Sequence, residues 1–189
     1  MTKRHHPRRR FVRGGFALAL GAAASQPAWA VSARPFFDPG DGIARLAFVN
    51  THTGEKLDVV YREGPLYLSD ALAEIDRLLR DHRSGDVHEI DRTLLDQLAR
   101  LRGLLDAGRR PFHVISGYRS PKTNAMLASH GRGVATKSLH LHGRAIDIRL
   151  PGTELRTLHR AALSMRAGGV GYYARSNFVH LDTGRVRRW

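Results

Sequence analysis

The stretch Ser138 to Asp147, SLHLHGRAID, carries an imidazole at His140 and a carboxylate at Asp147, and the later phrase NFVHLD supplies a second imidazole at His180. Two histidines and an aspartate are a donor set suited to a catalytic zinc ion, which leaves a fourth position for water. The set constrains the fold, because residues this far apart in the chain can act together only if their backbones are brought side by side with the polar groups on one face. The chain has no cysteine. A thiolate site is therefore excluded, and any metal must sit on imidazole and carboxylate, a choice that leans toward chemistry rather than scaffolding.

Strand periodicity supplies the required faces. Over Arg144 to Leu150, alternation sets Ala145 and Asp147 on one side and Ile146 and Ile148 on the other. Near the end of the chain Phe178, His180 and Asp182 share a face, with Val179 and Leu181 opposite. Gly143 permits a tight approach of the preceding loop to its strand. An extended backbone at His140 to His142 would turn both imidazoles to one side, so His142 stays open as a competing ligand. His113 and His159 read as structural or exposed, and His130 as a residue of a glycine-rich loop bordering the cleft.

The first thirty residues stand apart. Arg8, Arg9, Arg10, Phe11 and Val12 precede a short apolar run, Phe16 to Ala24, below the roughly 20 residues that span a bilayer. Ala28 and Ala30 flank Trp29 as an A-x-A cleavage site, so residues 1–30 read as an export signal of twin-arginine type and Val31 as the start of the mature chain. No transmembrane anchor is expected after cleavage. Formal net charge is +14, from 31 basic and 17 acidic residues; the leader holds six of the basic ones and no acid, leaving 25 minus 17, or +8. Such a balance suits nucleic acid, but an exported protein meets cell-wall polymers and anionic surfaces instead, so no nucleic-acid partner is expected.

Residues 31–189 read as a single domain with length enough for a core. Ala44–Asn50 and Lys56–Arg62 form a hairpin around Gly54, at one edge of a sheet. Ser69 and Asp70 cap a helix carrying Leu72, Ile75, Leu78 and Leu79, and a second helix over Arg92–Ala107 buries a leucine stripe before Gly108. Further on come a strand over Pro111–Ser116, a helix over Pro121–Ser129, a loop over His130–Lys137, a helix over Thr153–Arg166 capped by Thr153, and strands over Gly169–Tyr173 and Asn177–Leu181. The fold class is α+β, with a mainly antiparallel sheet and helices packed on one side.

The motif S-x-H-x-x-G-x-A-x-D, matched at Ser138, His140, Gly143, Ala145 and Asp147, resembles that of the zinc D-Ala-D-Ala peptidases of the M15 class. SGYRSPKTN at Ser116–Asn124 and GGVGYYARSNFVHLDTGRVRRW at the C-terminus are closer still to the exported murein endopeptidases once grouped as domain of unknown function 882. The resemblance implies a Hedgehog/DD-peptidase-like fold and a periplasmic enzyme that cuts peptide crosslinks of peptidoglycan, at D-Ala to diaminopimelate or between two diaminopimelates; a monomer is the expectation, although the sequence does not itself reveal the oligomeric state. It implies Zn2+ on His140, Asp147 and His180, and Arg119 as a substrate or oxyanion contact. Many relatives carry a glutamate base three residues before the last histidine, where this chain has Asn177. Asp182 is the nearest replacement, as base or as a group orienting His180. The missing glutamate also favours a rival reading, a non-catalytic peptidoglycan-binding module on the same fold. Tyr118, Tyr172 and Tyr173 read as core and cleft walls, and nothing in the sequence selects one for catalysis.

Overall fold

Ile43–Asn50 (β1) and Lys56–Glu63 (β2) pair antiparallel as the expected hairpin, with one register shift between Ala44 and Arg45. A two-residue strand, Leu66–Tyr67 (β3), lies outside β2 and forms the edge. The computed structural model describes residues 42–130 and 135–189. The expected leader and its cleavage site lie outside the described residues, as do positions 131–134 of the expected loop and the side chain of His130.

Ser69–Leu78 (α1) and Arg92–Leu104 (α2) follow. Ile75, Leu78 and Leu79 of the first and Leu94, Leu95, Leu98 and Leu101 of the second join the inward residues of the sheet in one core. The expected cap at Ser69 is corrected: the capping position is Leu68, with no side-chain bond, so packing of the apolar face holds this end. Asp91 does cap α2, accepting the Thr93 N–H at 2.9 Å. That helix stops before the expected Ala107, because Asp106 already takes a left-handed backbone with φ of 46°. Leu104 is accordingly exposed rather than part of the stripe.

The remaining elements are Phe112–Ser116 (β4), Pro121–His130 (α3), Ala145–Arg149 (β5), Leu155–Ser164 (α4), Gly169–Tyr173 (β6), Phe178–Asp182 (β7) and Arg187–Arg188 (β8). Thr153 does not cap α4: Glu154 holds that position, and the Thr153 hydroxyl accepts a bond from Arg110 at 2.9 Å instead. One eight-stranded sheet runs β3-β2-β1-β4-β5-β7-β6-β8. It is mainly antiparallel, with parallel pairing only at β1/β4 and β6/β8. The fold is α+β. No helix among the described residues is long and apolar enough to cross a membrane.

Two features of the sheet place the polar face. In the β5/β7 ladder, Asp147 stands directly opposite His180 and Ala145 opposite Asp182, while Ile146, Ile148, Val179 and Leu181 enter the core. Directly opposed residues of an antiparallel pair share a face, so this register alone brings imidazole and carboxylate together. In the β4/β5 ladder, a register shift between Val114 and Ser116 sets Ser116 against Asp147. An irregularity of this kind re-aims the chain, and the segment Gly117–Ser120 leaves β4 beside Asp147.

Candidate metal centre

Leu139–His142 forms a short 3-10 helix, begun by Ser138, whose hydroxyl accepts the His140 N–H at 3.3 Å, and ended by Gly143 with φ of 63°. Side chains on such a helix step by about 120° per residue, so His140 and His142 diverge. His140 is buried and His142 exposed. This corrects the extended reading of the segment and leaves His142 outside the cluster. A Cβ on Gly143 would come within 2.1 Å of the Glu89 carbonyl oxygen. Its close approach is therefore to the segment before α2, whose Asp91 N–H bonds the Gly143 carbonyl at 3.0 Å.

His140, Asp147 and His180 converge, each offering one donor atom within 4.8 Å of the others. His140 Nε2 is 3.3 Å from His180 Nδ1 and 3.4 Å from Asp147 Oδ2, and His180 Nδ1 is 2.8 Å from Asp147 Oδ1. The far nitrogens have acceptors of their own. His140 Nδ1–H donates to the Gly117 carbonyl at 2.7 Å, and His180 Nε2–H donates to Asp182 Oδ2 at 3.2 Å. With those protons placed, the lone pairs of His140 Nε2 and His180 Nδ1 face Asp147 and each other, the tautomers a metal needs.

Electrostatics follow from burial and pairing. Burial pushes the Asp147 carboxyl up, but the His140 and His180 imidazoles outweigh it and hold the group well below the usual carboxylate range. Burial lowers His140 against the pull of Asp147, whereas for His180 the bonds to Asp147 and Asp182 overcome burial and raise it. Protons and a cation compete for the same His180 lone pair.

Asp182 is fully buried and saturated with donors. Its Oδ1 accepts from Gly169 N–H at 3.0 Å, Gly184 N–H at 2.8 Å and Arg187 Nη1 at 3.0 Å, and its Oδ2 from Arg187 Nη2 at 2.7 Å as well as from His180. Burial is again outweighed, and the carboxyl is held far below its ordinary value. A carboxylate in this state is a poor proton acceptor and a firm anchor for His180 Nε2.

Arg119 reaches the cleft from the segment after β4. Its backbone N–H bonds the His140 carbonyl at 3.1 Å, fastening that segment to the 3-10 turn. Its guanidinium lies 3.5 Å from Asp147 Oδ2, with Ser116 Oγ and Asn124 Oδ1 each at 3.4 Å. Ahead of it, a Cβ on Gly117 would come within 2.4 Å of the Leu79 carbonyl oxygen, so glycine permits the approach that presents the Gly117 carbonyl to His140.

Residues 40–189 match the model of the M15 peptidase branch described as peptidoglycan L,D-endopeptidase MepK. The chain belongs to the M15 peptidase family. Peptidoglycan L,D-endopeptidase MepK of Escherichia coli (strain K12) is 46% identical over 173 residues, which cover 91% of each chain. The Shigella flexneri protein of that name matches equally, at 46% over 173 residues. "Probable peptidoglycan L,D-endopeptidase MepK" of Haemophilus influenzae is 42% identical over 144 residues, 76% of this chain and 77% of its own length.

In this M15 peptidase Asn177 does not face the cleft. It sits at a turn with φ of 52° and lines a different pocket with His113, Arg149 and Thr153. The cleft itself is bounded by Arg119, Lys137, Tyr173, Phe178, Arg187 and Trp189 around the three-donor cluster. Sequence reasoning misses Arg187 and Trp189, since β8 is too short to show a period. The pattern G-G-V-G at Gly168–Gly171 is the available signal. A Cβ on Gly169 would come within 2.4 Å of Arg187 and Asp182 side-chain atoms, and one on Gly171 within 2.7 Å of the Trp189 indole.

Asp182→Asn tests the anchor. The amide retains shape but loses the charge that holds Arg187 and the imidazole N–H. The expected result is a 10- to 100-fold loss of zinc affinity in a competition titration, with the circular dichroism spectrum unchanged; wild-type affinity would show that Asp182 does not orient His180.

Proposed function

We propose that this chain is an exported, zinc-dependent murein endopeptidase that hydrolyses peptide crosslinks of peptidoglycan, cutting the L,D bond between two diaminopimelates. The observation that carries the reading is the convergence of His140 Nε2, His180 Nδ1 and the Asp147 carboxylate, with both outer imidazole nitrogens already committed to acceptors. Atoms held about 2.05 Å from one ion at tetrahedral angles lie about 3.3 Å apart. The two imidazole nitrogens, 3.3 Å apart, match that figure, and Asp147 brings one oxygen to each of them, Oδ2 at 3.4 Å from His140 and Oδ1 at 2.8 Å from His180, so small side-chain adjustments suffice to hold zinc. The names of the relatives support the L,D crosslink over the D-Ala to diaminopimelate alternative.

A zinc ion held by His140, Asp147 and His180 would lower the pKa of its water toward about 7 and polarise the scissile carbonyl. The protein's part is orientation and charge. Asp182 fixes the His180 ring, the Gly117 carbonyl fixes His140, and Arg119 offsets negative charge that develops on the carbonyl oxygen. The basic residues Arg119 and Lys137 at the cleft suit a substrate bearing free carboxylates. Residues 1–30 are proposed to direct it to the periplasm by the twin-arginine route, on the strength of Arg8, Arg9, Arg10, Phe11 and the A-x-A site.

The rival binding-only module rests on Asn177 in place of a glutamate. Because Asn177 faces another pocket, its identity carries no weight about catalysis in this cleft. Purified protein incubated with diaminopimelate-crosslinked muropeptides is expected to release uncrosslinked peptides, to stop with a chelator and to resume with zinc. Sacculus binding with intact crosslinks in the zinc-loaded sample would instead establish the module.

A further inference from the structure

Tyr173 ends β6 on the face shared by Gly171, which stands opposite His180, and it pairs with Phe178 of β7. Its ring stacks on Phe178, with centroids 4.5 Å apart. Its hydroxyl oxygen accepts the Trp189 indole N–H at 2.8 Å. The indole, 48% exposed, lies 5.3 Å from the His180 ring and 4.8 Å from the Arg187 guanidinium carbon. Gly171 makes this arrangement possible, because a Cβ there would come within 2.7 Å of the indole and 2.9 Å of the Tyr173 ring. The phenol is thus held by stacking on one side and by a hydrogen bond on the other.

A phenol both donates and accepts. Here the acceptor side is taken by Trp189, and among the described residues no group accepts the Tyr173 proton. That proton is left for the cleft, which Tyr173 lines together with His140, Asp147 and His180. Tyr173 also lies near enough to Arg119 to enter its electrostatic surroundings. The other two candidate tyrosines are placed differently. Tyr172 points to the opposite face, against His159 at 5.0 Å, and Tyr118 packs on His88 at 4.7 Å.

We infer that Tyr173 is a further catalytic residue, donating its O–H hydrogen bond to the oxygen that gains negative charge as the scissile amide becomes tetrahedral, with Trp189 as its positioning residue. The inference rests on the endopeptidase reading above. A donor fixed before the reaction strengthens as charge develops and needs no reorganisation. The proton stays on the tyrosine, so the step requires no further acid or base. Removing the hydroxyl therefore lowers kcat rather than raising KM.

The experiment uses the zinc-loaded full chain beside Tyr173→Phe and Trp189→Phe, with steady-state kinetics on a crosslinked muropeptide. It adds calorimetry with two probes, a phosphinate analogue of the crosslink and the uncrosslinked peptide product. Tyr173→Phe is expected to lose about 30-fold in kcat and a similar factor in phosphinate affinity, with KM, product affinity and zinc content unchanged. Trp189→Phe keeps an aromatic wall but loses the N–H, and a smaller loss in the same two quantities is expected. Wild-type kcat and phosphinate affinity in Tyr173→Phe would overturn the inference, and so would equal weakening of both probes, which marks an ordinary binding contact. If the wild type itself cleaves no crosslink, the endopeptidase reading and this inference fall together; if it does cleave and Tyr173→Phe matches it, only the inference falls.

Discussion

Changing His140 to alanine is expected to abolish the proposed zinc binding and to lower the hydrolytic rate by at least about a thousand-fold. The expectation follows from how the donors are arranged. His140 belongs to the three-residue cluster that converges among the described residues, and without it His180 Nδ1 and Asp147 Oδ1, already 2.8 Å apart, are left to bond each other. Alanine also leaves the buried Gly117 carbonyl without its partner, a loss worth about 1–3 kcal/mol. A fall in activity could then come from unfolding alone. Asp147→Asn separates the two causes, because the amide keeps the size of the carboxylate and can still donate to an imidazole nitrogen while losing the charge that a cation needs. Metal analysis of purified protein is expected to give one zinc per wild-type chain and almost none for either variant, with the Asp147→Asn melting curve close to that of the metal-free wild type. Stoichiometric zinc in both variants would move the metal elsewhere and end the assignment.

Asp147 and His180 are legible in the sequence because strand alternation decides which way they point. Once Asp147 and His180 lie on strands whose other faces are Ile146, Ile148, Val179 and Leu181, burial of the aliphatic faces aims the polar ones together. What stays hidden is local backbone shape. His142 rivals His140 on paper because the LHLH segment can be read as extended, and the Ser138 hydroxyl that turns it into a 3-10 helix is a capping interaction with no period. Asn177 occupies a motif position by counting, yet a left-handed turn takes it out of the cleft. Ser69 and Thr153 are good capping residues by type, but Leu68 and Glu154 occupy those places. Arg187 and Trp189 escape detection because two paired residues carry no pattern, although the glycines they require are conspicuous. The sheet order is equally unreadable from the chain, since the parallel β1/β4 pairing is a long-range choice made by the core.

Arg119→Ala is expected to lose several hundred-fold in kcat, in the range found when one preorganised donor to a developing oxyanion is removed, while zinc binding is kept or strengthened. The sign of the second effect discriminates between roles. Arg119 stands 3.5 Å from Asp147 Oδ2, so its charge disfavours a second cation beside it, and taking it away relieves that repulsion. A residue that merely braced the turn before Pro121 would behave otherwise: its loss would let the segment and the Gly117 carbonyl move, so zinc affinity, melting temperature and rate would decline together. The geometry points away from bracing, because the contacts to Ser116 and Asn124 are both at 3.4 Å, the weak end of hydrogen bonding. Donors so loosely held can turn to a substrate oxygen. Lysine is no substitute, as it presents one compact charge in place of a planar fork, and Arg119→Lys is expected to recover less than a tenth of the lost rate. Zinc titration and steady-state kinetics on the same preparations decide the matter, since parallel loss of both in Arg119→Ala would assign the residue to the turn and leave the developing charge to the metal and Tyr173.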